Sequence, residues 1–334
     1  MEKNIRVLIV DDSTLARQAL NDILSSDPEI EVIGEARNGK EGYEKTLALR
    51  PDVITMDITM PVMDGLQATE LIMEEVPTPI VIVSSRDVKM IVKALGLGAM
   101  DFVANTGDLD EIKEELIQQV RIASRVKAIR RMHIRPVSQR TISPRGTASR
   151  VVALGISTGG PQALQVLLSK LPANFPGSIL VVQHISFGFV QGLAEWLGMT
   201  SLLDIRVAKA GDALRNGTVF FAPDNVHMTV NNEEKIVLKE DVGKKMLHVP
   251  SIDVMMRSVA EVFQDAAVGE IMTGMGRDGV EGISAIKSSG GYTIAQNEKT
   301  SAIYGMNKIA VDLGLIESVL GLDQIADELV RVVR

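Results

Sequence analysis

Two α/β domains are what this chain predicts: an N-terminal doubly wound sheet of five parallel strands, and a C-terminal α/β domain on a mainly parallel sheet. Three observations carry that prediction. The length, 334 residues, exceeds what one hydrophobic core ordinarily organises. Two trains of short β-branched runs alternate with stretches of helical period, the pattern of βα units. Between the trains, residues 116–150 hold nine Lys or Arg and no Asp or Glu, and their later part, RPVSQRTISPRGTAS, is rich in Pro, Ser, Thr and Gly. Such a stretch reads as a solvated connector. The expected boundaries are a first domain over 1–122, a basic linker over 123–149 and a second domain over 150–334.

Each element has its own signal. From Ile5 to about Ala123 the runs IRVLIV, EVIGEA, DVITMD, PIVIVSS and DFV are β-branched and short, as buried parallel strands are. The amphipathic stretches between them supply the crossover helices. In the second domain strands are expected near 151–155, 179–182, 219–222, 236–239, 268–272 and 292–295, and helices after Pro161, Phe187, Ser251, Gly279 and Leu322.

Composition narrows the function. Hydrophobic residues make up 46% of the chain but fall in short runs, none near the roughly 20 apolar residues of a membrane span. The start MEKNIRVLIVDD lacks a signal-peptide apolar region, so the expected location is the cytoplasm, without membrane insertion. There is no cysteine, which removes disulfides, thiolate nucleophiles and Cys-type zinc sites. A net charge of -8 argues against a nucleic-acid partner, since phosphate neutralisation needs a basic face. Any imidazole chemistry must draw on His133, His184, His227 or His248.

Asp11 and Asp12 end the first strand and Asp57 ends the third. With strand order 2-1-3-4-5 these strands are neighbours, and their carboxylates converge at one crevice. Oxygen ligands of this kind suit Mg²⁺, and a carboxylate beside the metal can accept a phosphoryl group. With Met60-Pro61, Asp64-Gly65 and Ser84 following, roughly the first 120 residues resemble a response-regulator receiver domain. The resemblance implies Asp57 as phosphoacceptor, Asp11, Asp12 and Asp57 around Mg²⁺, and Ser84 in the switch. Asn105 stands where such receivers carry a lysine; an amide donates a hydrogen bond but brings no charge.

In the second domain Gly155-Ile156-Ser157-Thr158-Gly159 fits the turn that exposes a nucleophilic serine between a strand and a helix. Pro161 suits the first helical turn and leaves the preceding amides at a helix N-terminus, where an oxyanion is welcome. A serine in such a turn is more often a cap than a nucleophile, so a base is needed. Only His184 directly follows an apolar strand, SILVVQ. Asp278, in TGMGRDG after a third strand, supplies an orienting carboxylate, with helix capping as its rival role. The chain order Ser157, His184, Asp278 departs from the α/β-hydrolase order.

These motifs, together with DALRNGTVFFAPDNVHM and HVPSIDVMMRSVA, resemble the catalytic domain of the chemotaxis protein-glutamate methylesterase family. Joined to a receiver, the likeness spans both domains. It implies hydrolysis of glutamate γ-methyl esters on chemoreceptors, with methanol released, and glutamine deamidation in some members. Ser157, His184 and Asp278 would form the triad, and amides near Thr158 and Met275 the oxyanion hole. The implied partners are methylated chemoreceptors and the chemotaxis histidine kinase as phosphodonor, with Mg²⁺ for phosphorylation and no cofactor for ester hydrolysis. Ser186 and Asn307 stand where relatives carry proline, which implies altered loop rigidity. At the level of sequence a second reading stays open, a catalytically silent regulator that docks on receptors or kinase with a degenerate receiver.

Overall fold

The computed structural model describes residues 4–84, 87–104, 112–126, 146–241 and 248–334, and the chain divides into two compact units, Met1–His133 and Ile134–Arg334. The first unit runs β1 (Ile5–Val10), α1 (Thr14–Ser25), β2 (Ile30–Ala36), α2 (Gly39–Leu49), β3 (Val53–Met56), α3 (Gly65–Glu75), β4 (Ile80–Ser84), α4 (Val88–Gly96), β5 (Asp101–Ala104) and α5 (Lys113–Ser124). Its strands are parallel in the order β2-β1-β3-β4-β5, as the sequence predicts. Val7 to Val10 in β1 and all of β3 and β4 are buried, because helices cover both faces of a doubly wound sheet.

The second unit begins with β6 (Val151–Ile156), α6 (Gly160–Lys170), β7 (Ser178–Gln183), α7 (Val190–Gly198), β8 (Asp204–Val207), β9 (Thr218–Phe221), β10 (His227–Val230) and β11 (Ile236–Lys239). It continues with α8 (Ile252–Phe263), β12 (Ala267–Ile271), α9 (Val280–Ser288), β13 (Tyr292–Gln296), α10 (Met306–Asp312), β14 (Ser318–Leu320) and α11 (Leu322–Val333). Seven parallel strands lie in the order β14-β13-β12-β6-β7-β9-β8, and β10 and β11 form a separate antiparallel pair. Alternate residues of β6 divide between two cores: Val151 and Ala153 join Met255, Met256 and Ile283, whereas Val152, Leu154 and Ile156 join Leu164, Leu167 and Leu329. The period of two therefore packs α8 and α9 on one face and α6 and α11 on the other.

This topology positions the site. From β6 the chain steps to β7 on one side and later returns to β12 on the other. The carboxyl end of β6 is thus a switch point, where an α/β sheet opens a crevice.

Candidate active site

Ser157 is the first residue beyond β6, and His184 the first beyond β7. Register pairs Ile156 with Gln183, so the two residues leave adjacent strands at one level, and the His184 amide donates to Ile156 O at 3.0 Å. After Ser157 the chain turns through Gly159, at φ 75°, into α6. That left-handed angle favours glycine. From the neighbouring strand the Ser157 amide donates to Thr273 O at 3.0 Å. A Cβ on Gly274 would stand 2.7 Å from Ser157 Cβ, so only glycine lets the 273–276 turn close on the serine.

Asp278 meets the histidine: His184 Nε2 lies 2.9 Å from Asp278 Oδ2. The same carboxylate accepts from Ser251 Oγ at 2.8 Å and from the amides of Ile252 at 2.7 Å and Asp253 at 3.0 Å. Those amides open α8, so the acid sits on a helix N-terminus. Burial pushes its pKa up, but the His184 hydrogen bond, the two amides and the histidine's charge outweigh burial and hold it at about 2. Asp278 does not cap the helix that follows it. That service comes from Asp253, whose Oδ1 accepts from the amides of Gly279 at 2.9 Å and Gly282 at 2.7 Å.

The three expected residues therefore share one edge, although no hydrogen bond joins Ser157 Oγ to His184 among the described residues. The amides of Thr158 and Met275 donate to no protein acceptor among the described residues. A cleft of about 200 Å³ opens beside the histidine, lined by His184, Phe187, Val190, Asp224, His248 and Pro250. Phe187 and Met275 stay largely exposed, at 69% and 50%.

Several participants were not legible. His248, a bystander in the sequence, stacks on His184 with ring centroids 4.3 Å apart and planes 18° apart. Burial and the charge of His184 lower its pKa, against a smaller upward pull from Asp278. His227 begins β10 and is buried, its Nδ1 accepting from the Ser251 amide at 3.1 Å. Ser251 before an amphipathic run does announce a helix start, but nothing local says that the start serves Asp278. Asn307 is fully buried, and its Nδ2 donates to Gln296 O at 2.9 Å and Ser301 Oγ at 2.8 Å. Hydrogen bonds thus tie the first turn of α10 to the end of β13 and to Ser301.

In the first unit Asp57 Oδ1 accepts from Ser84 Oγ at 2.7 Å, and its Oδ2 from the Thr59 amide at 3.1 Å. A Cβ on Gly65 would lie 2.0 Å from Asp57 O, so the MDG turn must carry glycine there. Burial, with the charges of Asp57 and Asp12, raises Asp11 to about 6 against the Ser13 amide. Burial likewise raises Asp57, which Ser84 and backbone amides partly offset. Crowded, half-desolvated carboxylates that resist ionisation fit a hard divalent cation. Among the described residues no three His, Cys, Asp or Glu side chains close a metal cage. Mg²⁺ seldom uses one, taking one or two carboxylates with water and phosphate oxygens. Asn105 lies outside the described residues.

A receiver-type sheet joined to an α/β domain that gathers a serine, a histidine–aspartate pair and unpaired amides defines a response regulator with a hydrolase output. The comparisons agree with that class. A response regulator receiver domain model matches residues 7–117, and a CheB methylesterase model matches residues 152–329. A protein-glutamate methylesterase/protein-glutamine glutaminase of Pyrococcus abyssi is 40% identical, over 99% of this chain and 94% of its own length. One from Anaeromyxobacter dehalogenans is 43% identical, over 97% and 98%. The crystal structure of the Thermotoga maritima CheB methylesterase catalytic domain superposes with a TM-score of 0.53 at 34% identity, covering 55% of this chain and 98% of that one. The chain belongs to the CheB family of protein-glutamate methylesterases/protein-glutamine glutaminases. No helix among the described residues is long and apolar enough to cross a membrane.

Proposed function

We propose that the second domain, over 150–334, hydrolyses glutamate γ-methyl esters on chemoreceptors with Ser157 as nucleophile, His184 as base and Asp278 as the group that orients it. The observation that carries this reading is the 2.9 Å contact between His184 Nε2 and Asp278 Oδ2, one strand from Ser157. With Nε2–H given to the carboxylate, Nδ1 is the nitrogen left unprotonated. Ser157 Oγ attacks the ester carbonyl as its proton passes to Nδ1, and the same proton leaves with methanol. Water, deprotonated in the same way, then opens the acyl-enzyme to the free γ-carboxylate. With a glutamine side chain the leaving group is ammonia and the other steps are unchanged. The amides of Thr158 and Met275 receive the oxyanion, a contribution of roughly 3 kcal/mol per donor in serine hydrolases.

The receiver, over 1–122 and joined by the linker over 123–149, takes a phosphoryl group on Asp57 from the chemotaxis histidine kinase, with Ser84 beside it and Asn105 in the lysine's place. Asp11, Asp12 and Asp57 would hold Mg²⁺, whose charge offsets that of the incoming phosphoryl oxygens. A cytoplasmic location follows from these partners.

Methanol release from methylated receptor membranes tests the esterase. Ser157→Ala is expected to cut the rate by about 10³-fold or more while leaving the circular dichroism spectrum unchanged. Turnover that survives the substitution rejects Ser157 as nucleophile.

A further inference from the structure

One buried side chain between serine and histidine has no place in the chemistry above. Gln183, the last residue of β7, is 6% exposed. Its Nε2 donates to Ser157 O at 2.9 Å and to His184 O at 2.8 Å. Its Oε1 is buried without a hydrogen-bond partner among the described residues. A buried orphan of that kind calls for an explanation, and here the amide keeps both donors in use while giving up its acceptor. Room for it is made by Gly160, where a Cβ would stand 1.9 Å from Gln183 Oε1.

We propose that Gln183 is a positioning residue that aims the oxyanion-binding amide and locks the base's backbone. The peptide unit is planar and trans. Ser157 C=O and Thr158 N–H belong to one peptide unit and point in opposite directions. By drawing Ser157 O toward the β7 side, Gln183 turns Thr158 N–H outward, away from the protein acceptors. The Gly160 amide reaches the same carbonyl at 2.8 Å, so the peptide is held from two directions. The second donor fixes His184 O, while the His184 amide is fixed by Ile156 O. Nucleophile turn and base loop are thereby tied through a single side chain, and donors set in advance need no reorganisation as charge develops. Because this inference rests on Ser157 and the Thr158 amide acting as proposed, its test must separate the two.

The experiment measures kcat and KM of the full chain on methylated receptor membranes for wild type, Gln183→Met, Gly160→Ala and Ser157→Ala, with thermal unfolding as the control for folding. Gln183→Met keeps length and bulk but has no donor; Gly160→Ala leaves the amide present but pushes it off its carbonyls. Both are expected to lower kcat by about 10- to 100-fold, as loss of oxyanion-hole geometry does, with KM within about threefold. A change confined to KM, or an unchanged kcat in either folded variant, overturns the proposal; if Gln183→Met does not fold, Gly160→Ala decides alone. Serine-dependent turnover that ignores both substitutions removes the role of Gln183 and leaves the triad standing. Turnover that survives Ser157→Ala removes both.

Discussion

The carboxylate of Asp278 accepts from four donors at once, His184, Ser251, Ile252 and Asp253, so its orientation is fixed before any substrate arrives. Asp278→Asn would turn an NH₂ group toward some of these donors and leave the imidazole unheld. The expected cost is about 10³- to 10⁴-fold in kcat, measured by methanol release. The sign of its pH effect follows from the shift. A carboxyl held at about 2 in the fold, against 3.8 ordinarily, stabilises the folded state above 3.8 and loses that contribution as pH falls toward 2. The stability gap between wild type and Asp278→Asn in urea melts should therefore narrow across that window. The stacked His248 gives a second test. Burial and His184 favour its neutral form, against the opposing pull of Asp278, and a proton on it would set a cation against the ring proposed as the base. As pH falls, a proton gained by His248 should therefore depress kcat/KM. His248→Phe keeps a stacking ring without a proton and should remove that part of the acid loss, whereas an unchanged acid limb removes His248 from the pH response.

Elements hold the site by exchange. The start of α8 binds Asp278, which precedes α9, while Asp253 in α8 binds the amides of Gly279 and Gly282 at the start of α9. Each helix thus caps its neighbour's acid-bearing turn. Asp253→Ala leaves two amides unpaired, and we expect a loss of about 1–2 kcal/mol in denaturant unfolding together with a fall in kcat, because the Asp278 turn loosens. Strand β12 carries a different tension: Glu270 is fully buried and both its carboxylate oxygens lack partners among the described residues. Burial raises it to about 8 from 4.5. An acid raised in the fold destabilises as it ionises, so stability should decline as pH climbs from 4.5 toward 8. Glu270→Gln should flatten that decline, raising the melting temperature relative to wild type at pH 8 and not at pH 5. The strands that bear Ser157, His184 and Asp278 were legible because β6, β7 and β12 are apolar runs ending in polar turns. β8, β10, β14 and α10 were not. Asp204–Val207 and Ser318–Leu320 are short and only partly buried edge strands, and His227–Val230 and Met306–Asp312 are held by tertiary partners such as Ser258 and Gln296 rather than by local pattern. The clasp between α8 and α9 and the amide of Gln183 join residues whose neighbourhood exists only once the sheet is ordered β12-β6-β7.

At the scale of the whole molecule the question is whether a phosphoryl group on one unit changes turnover on the other. Coupling of this kind is a free energy, and a modification shifts an equilibrium only as far as it favours one state over the other. In the receiver the ingredients lie at Asp57: a half-buried carboxylate raised by burial, a hydroxyl from Ser84 at 2.7 Å and the nearby charge of Asp12. Phosphorylation replaces one carboxylate charge with nearly two on a group with three acceptor oxygens, which recruits Ser84 and backbone donors to a new geometry. A lysine at position 105 would add an ammonium to that recruitment, and Asn105 adds only an amide dipole. The switch should therefore work with reduced amplitude. The expected outcome is a phosphodonor-dependent rise in methanol release that Asn105→Lys enlarges, that Asp57→Asn brings to a ratio of one, and that disappears when Mg²⁺ is chelated. A ratio of one already in wild type, restored above one by Asn105→Lys, would place the lost coupling at that single side chain. A ratio of one in both would mean that the receiver of this chain exerts no control over its esterase.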